Sequence, residues 1–116
     1  MITLMSWGHK YGNPPANFKF DVSYFKNPWR EKETRYSNRE TIISFMEQQE
    51  GVNKFINNLV QMLVDLNEQF EEEEVKVAIC CSAGEYRSPA IVELIGKELS
   101  KRKVKCVINH SKESLI

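Results

Sequence analysis

The stretch that decides the fold is residues 75–108, VKVAICCSAGEYRSPAIVELIGKELSKRKVKCVI. Its first part alternates, as on one face of a β-strand: Val75, Val77, Ile79 and Cys81. Ser88 and Pro89 then have the pattern of a helix N-cap followed by proline in the first turn. An apolar stripe continues that helix: Ile91, Leu94, Ile95 and Leu99. Because residues 104–108 indicate a closing strand, the segment predicts a βαβ unit with two parallel strands.

Two further strands are predicted near the N-terminus. Residues 2–7 indicate the first, and residues 18–24, which alternate from Phe18 onward, indicate the second. The loop at 9–16 separates them, because Asn13-Pro14-Pro15 breaks regular structure.

A helical region lies between the second and third strands. The i, i+3, i+4, i+7 spacing is strongest over residues 52–66, and a core-facing stripe is a better interpretation of it than a cofactor site. A shorter helical segment begins near Ile42, and Gly51 is expected to end it. The whole pattern predicts an α/β fold, with helices flanking a largely parallel sheet of about four strands.

Size and composition restrict the possible classes. With 116 residues, 41% of them hydrophobic and 28% charged, the chain is expected to form one domain spanning 1–116. No apolar run of about 18 residues predicts a membrane span, and no basic segment predicts a signal peptide. Three cysteines, two of them adjacent, favour a reducing cytoplasm and offer neither a disulfide framework nor a zinc motif. We therefore predict no metal and no cofactor.

Charge is unevenly distributed although the formal net charge is zero. Residues 1–40 carry a net +3, residues 41–74 a net −7 and residues 75–116 a net +4. The basic ends could together form an anion site, and a solvated acidic face balanced by scattered lysines is the alternative.

The loop after the third strand is the best candidate for chemistry. Its residues are Ser82, Ala83, Gly84, Glu85, Tyr86, Arg87 and Ser88. Free backbone N–H groups at a helix N-terminus attract anions, small residues let the backbone approach a ligand, and Arg87 can clamp a phosphate. This predicts an oxyanion cradle at the carboxyl end of a strand. The alternative is an ordinary capped turn with Arg87 in a structural ion pair.

A sharper hypothesis is catalytic. Cys81 and Arg87 have the Cys-x5-Arg spacing of cysteine-dependent phosphatases, in which a thiolate attacks phosphorus. Such a reaction needs a general acid, and the only aspartates are Asp21 and Asp65, neither of them downstream of the loop. Cys81 also shares the apolar face of its strand, so a buried and inert thiol is the competing interpretation.

Several motifs, in order, resemble the RapZ C-terminal domain family over about Thr3 to His110. Ser6-Trp7-Gly8-His9-Lys10-Tyr11-Gly12-Asn13-Pro14 is similar to its opening motif. The family's second motif, Phe-Asp-Val-Arg-Phe followed by Asn-Pro, is similar to Phe20-Asp21-Val22 and Asn27-Pro28. Arg35 matches an arginine in the family's next loop, and the 81–88 loop resembles the family motif Gly-Cys-Thr-Gly-Gly-x-His-Arg-Ser.

This resemblance implies a non-catalytic domain that binds an amino-sugar phosphate or another oxyanion, with a possible small-RNA adapter role and self-association. With the loop and Arg87, Lys10 and Arg35 are the further anion-binding residues on this interpretation, and His9 is added from its position after the first strand. If the first and third strands are neighbours, His9 and Lys10 are expected to face one cleft with the cradle, walled by Trp7, Tyr11 and Tyr86. The chain has no P-loop motif for the ATPase domain of full-length members. It also departs from the family at Ser23, Ala83-Gly84 and Tyr86, and in its nearly neutral C-terminal tail.

Overall fold

A computed structural model describes residues 1–31, 38–114 and 116 of the chain. Within them, four strands form one all-parallel sheet in the order β2-β3-β1-β4, which confirms the α/β prediction. The strands are β1 (Ile2–Gly8), β2 (Phe18–Asp21), β3 (Val75–Cys81) and β4 (Cys106–Asn109). The helices are α1 (Arg39–Glu47), α2 (Glu50–Gln69) and α3 (Arg87–Lys101), with short 3-10 turns at His9–Tyr11 and Pro28–Arg30.

β1 occupies an inner position of the sheet. Ile2 pairs with Val75 of β3 on one side and with Cys106 of β4 on the other. The strands of the predicted βαβ unit are therefore parallel, as expected, but they are not adjacent. The physical reason is burial: β1 is apolar on both faces, so it is better protected from water between two strands than at an edge.

The three helices cover one face of the sheet. Their apolar stripes form a single core with alternate residues of β1 and β3, among them Leu4, Val77 and Ile79. The opposite face is covered by the 9–17 loop, which returns from the end of β1 to the start of β2. Under this loop lies a second, smaller cluster of Met5, Ala78 and Cys80.

Three predicted boundaries are wrong. α3 begins at Arg87 after Tyr86, because the Ser88 side chain is buried and turned toward the Cys81 thiol instead of capping the helix. β2 ends at Asp21 and not at residue 24. The strand stops there because the Asp21 carboxylate accepts a hydrogen bond from the Ser23 amide, which starts a turn.

Gly51 does not end a helix. The chain breaks at Gln48–Gln49, between α1 and α2, and Gly51 lies in the first turn of α2. A Cβ atom at residue 51 would stand 3.2 Å from the Phe25 ring, so glycine here permits close packing against the segment that follows β2.

None of the helices in the described residues combines the length and the apolar character that a bilayer span requires.

Candidate functional site

The carboxyl ends of all four strands meet at one edge of the sheet, because the sheet is entirely parallel. The loop from Ser82 to Tyr86 joins β3 to α3 at this edge. β2 is the neighbour of β3, so the segment after Asp21 runs beside that loop. Two parts of the sequence that lie about 60 residues apart thereby share one site.

These two segments enclose a pocket of about 160 Å³, which we call the β3–α3 pocket. Its walls are Asn27, Trp29, Cys81, Ser82, Ala83, Glu85, Tyr86 and Arg87. Six of these eight residues belong to the loop that the sequence singled out, Cys81 included.

Arg87 is a buried charged residue of the pocket wall, with only 8% of it exposed. Its Nη1 donates to the carbonyl oxygens of Ser23 and Phe25, the latter at 3.3 Å, and its Nη2 donates to Ser82 Oγ at 3.4 Å. No carboxylate within the described residues pairs with it. The guanidinium is thus held in place by neutral acceptors, and its charge stays available to a ligand.

The loop backbone complements this cation. The N–H groups of Ala83, Gly84 and Glu85 have no acceptor among the described residues. Gly84 turns the chain with a φ of +75°, a conformation that side-chain-bearing residues rarely adopt. The fifteen-residue helix α3 begins directly afterwards, so the positive end of its dipole points toward the same region.

Cys81 lies beneath the loop and is 2% exposed. The Ser88 amide donates to its sulfur at 3.4 Å, and its thiol donates to Ser88 Oγ at 3.3 Å. Cys80, one residue earlier, faces the opposite side of the sheet, where burial raises the pKa of its thiol to about 11.

Asp21 does not line the pocket. Hydrogen bonds from His9 and Ser23 hold the pKa of its carboxyl down at about 2. His9 Nε2 lies 3.0 Å from Asp21 Oδ1. Since a general acid must carry a proton near neutral pH, Asp21 is poorly suited to protonate a leaving group.

The other predicted site residues are dispersed. β1 and β3 are neighbours as expected, yet His9 pairs with Asp21, and the Lys10 ammonium lies over the Tyr11 ring at 5.2 Å. Trp7 and Tyr11 line a separate pocket of about 370 Å³ with His110.

Two more of the predicted residues contribute no side chain to the pocket. Ser88 is wholly buried, and Gly84 packs against Gly8 behind the loop. Arg35 lies outside the described residues.

Two pocket residues, Asn27 and Trp29, were missed in the sequence, whereas Tyr86 was predicted. Trp29 and Tyr86 stack with ring centroids 5.9 Å apart and an interplanar angle of 14°. Asn27 accepts a hydrogen bond from the Trp29 amide and so holds the 3-10 turn that presents the indole. The available signal was the Asn27-Pro28 turn just after a strand that ends at the ligand-binding edge.

The described residues contain no cluster of three or more histidine, cysteine, aspartate or glutamate side chains that could hold a metal ion. The functional groups at this edge are a fixed cation, free amides and stacked aromatic rings.

The fold and the site together define a class of protein: a parallel α/β domain with a small-residue loop between β3 and α3. Comparison with known families then gives the assignment: the RapZ C-terminal domain matches residues 1–114, and the chain belongs to this family. A similar protein in Clostridium botulinum, named a nucleotide-binding protein, is 35% identical over 95% of this chain and 40% of its own length. A nucleotide-binding protein of Shewanella loihica is 34% identical over 95% of this chain and 41% of its own length. Another, in Fervidobacterium nodosum, is 30% identical over 95% of this chain and 41% of its own length. The chain thus spans about two fifths of these relatives.

Proposed function

We propose that residues 1–116 form a single binding domain that holds a phosphorylated small molecule in the β3–α3 pocket without chemical turnover. The observation that carries the proposal is the state of Arg87, a buried guanidinium fixed by two carbonyls and a hydroxyl and paired with no described acid. A buried cation of this kind is stabilised when an anion enters beside it.

The rest of the pocket supports a small organic phosphate. Free amides of the loop can donate to phosphate oxygens, and the stacked pair of Trp29 and Tyr86 offers a ring surface for a sugar or a base. Relatives named as nucleotide-binding proteins agree with a phosphorylated ligand. The family resemblance adds an amino-sugar phosphate as the first ligand to test.

The test is a thermal-shift series with inorganic phosphate, sulfate and sugar phosphates. A ligand that binds only the folded state raises the free energy of unfolding by about 2.7 kcal/mol when its free concentration is 100 times its Kd. Arg87→Lys keeps the charge but loses the forked geometry, so the shift should fall strongly. Arg102→Lys is the matched control, because Arg102 contacts Gln61 on α2 and lies outside the pocket. An unchanged melting temperature of the parent protein with every anion would refute the proposal.

The second candidate is the cysteine phosphatase. The observation in its favour is the Ser88 amide, which donates to the Cys81 sulfur and would stabilise a thiolate. The low pKa of Asp21 counts against it, since a carboxyl that is ionised near neutral pH cannot protonate a leaving group. Hydrolysis of an aryl phosphate that disappears in Cys81→Ser would establish catalysis; its absence in the parent protein leaves binding alone.

We also propose a small-RNA adapter role and self-association, and both rest on the family resemblance. RNA affinity supplied by phosphate contacts must weaken steeply with added salt. Gel shifts across a salt series test the first role, and sedimentation at several protein concentrations tests the second.

A further inference from the structure

A second cavity of about 380 Å³ lies next to the β3–α3 pocket, and the two share Asn27, Ser82 and Arg87 as walls. We call it the side compartment; its other polar walls include Lys26, Arg30 and Glu31. Because three residues bound both spaces, they form one cleft divided by the Arg87 side chain.

Arg87 reaches both parts of this cleft. Its Nη1 is held by the carbonyls of Ser23 and Phe25, two residues that line the side compartment. Its Nη2 contacts Ser82 Oγ, which borders both spaces. One guanidinium can therefore contact an anionic group on either side.

The side compartment is the more electropositive of the two. It carries Lys26, Arg30 and Arg87 against the single carboxylate of Glu31, whereas the β3–α3 pocket sets Glu85 against Arg87. No described carboxylate pairs with the charges of Lys26 and Arg30, which can therefore bind a second anion.

The backbone that carries these two cations is anchored. The Lys26 amide donates to Gln49 Oε1 at 3.0 Å, and the Lys26 carbonyl accepts from Gln49 Nε2 at 3.1 Å. Arg30 ends the 3-10 turn that Asn27 caps. This tie to the start of α2 fixes the backbone that carries the two exposed cations beside the loop, so only their side chains need ordering when a ligand binds.

We infer that the ligand of this cleft carries two anionic groups, such as a sugar bisphosphate: one binds the loop and Arg87, the other binds Lys26 and Arg30. The inference rests on the proposed function and specifies its ligand class. A single phosphate would leave the cations of the side compartment unused.

The experiment compares fructose 1,6-bisphosphate with fructose 6-phosphate by isothermal titration calorimetry on the whole chain. We expect the bisphosphate to bind about tenfold more tightly or better, the gain typical of one added charge-assisted contact. In Lys26→Ala/Arg30→Ala this preference should collapse to near unity while fructose 6-phosphate still binds. The control Lys97→Ala/Lys105→Ala removes equal charge from exposed positions outside the cleft and should keep the preference.

The outcomes separate the two proposals. Equal affinity for both sugars in the parent protein, or a preference that survives in Lys26→Ala/Arg30→Ala, overturns the two-anion inference and leaves the phosphate site standing. If neither sugar binds and inorganic phosphate and sulfate do not bind either, the phosphate site and this inference fail together. If neither sugar binds but inorganic phosphate does, only the two-anion inference fails.

Discussion

Ser111 donates a hydrogen bond from its hydroxyl to the carbonyl oxygen of Gly84 at 3.2 Å, and thereby joins the C-terminal segment to the back of the β3–α3 loop. The Ser111 amide in turn donates to Ser6 Oγ of β1 at 3.1 Å, and Ser6 Oγ lies 3.0 Å from His110 Nδ1. The loop is therefore supported from behind by β1 and by the residues that follow β4.

Ser111→Ala should loosen the loop. Loss of one partly buried hydrogen bond costs about 0.5–1.5 kcal/mol of unfolding free energy, and phosphate affinity should fall several-fold because the amides are less well held. Urea unfolding and calorimetry measure the two effects. Ser114→Ala is the control, since within the described part of the chain the Ser114 hydroxyl forms hydrogen bonds with Ile116 alone. Equal phosphate affinity of Ser111→Ala and the parent protein would show that the bond does not position the loop.

Gly84→Ala should be strongly destabilising. Residue 84 has a φ of +75°, and an added Cβ would lie 2.8 Å from the Gly8 amide nitrogen. Gly12→Ala is the matched control, because Gly12 has a φ of +84° with nothing within 4 Å of its Cβ position. The control reports the backbone cost of a positive φ, about 1–3 kcal/mol, and the crowding at residue 84 should add about 1–3 kcal/mol more. Equal losses of unfolding free energy in urea would show that the loop relaxes away from β1.

Leu63→Ala tests the core face of α2. Leu63 is fully buried, so its truncation should cost about 2–5 kcal/mol. Asn58→Ala, on the exposed face of the same helix, should change stability by about 0.5 kcal/mol or less. Comparable losses in the two variants, measured by urea unfolding, would contradict the assigned orientation of α2.

The Asp21 carboxyl should give an acid-dependent contribution to stability. Its pKa in the folded protein is about 2 against an ordinary 3.8, so the ionised form favours the folded state. That contribution is present above about pH 4 and is lost as the pH falls toward 2. Because Asp21 is largely exposed, it amounts to less than about 1 kcal/mol.

Two variants check this contribution. Asp21→Asn should show a shallower fall of unfolding free energy between pH 4 and pH 2 than the parent protein. His9→Gln should move the titration of Asp21, followed by NMR, back toward its ordinary pKa. An Asp21 titration midpoint near 3.8 in the parent protein contradicts the His9 contact.

Much of the fold was predictable, because periodicity and length separate β3 and α3 without ambiguity. The sheet order was harder. Alternation identifies strands but not neighbours, and only the burial of β1 on both faces indicates that it lies between β3 and β4.

The site was predictable in part. The 82–88 loop follows from a local rule, the free amides between a strand and a helix. The carbonyls that hold Arg87 belong to residues about 60 positions away, and no local pattern encodes such a contact. His9 and Lys10 do not line the pocket: the Lys10 amide reaches the Ser82 carbonyl, but the His9 side chain pairs with Asp21 and the Lys10 ammonium lies over the Tyr11 ring.

The inner position of β1 also determines how the molecule assembles. Both partners of this strand come late in the sequence: Ile2 pairs with Val75 and with Cys106. β1 cannot form hydrogen bonds to a neighbouring strand until residues more than 70 positions downstream have come into contact with it. Closing such long loops slows folding. The first strand of the chain is thus among the last to be secured, and folding is expected to be a single concerted event instead of a stepwise growth from the N-terminus.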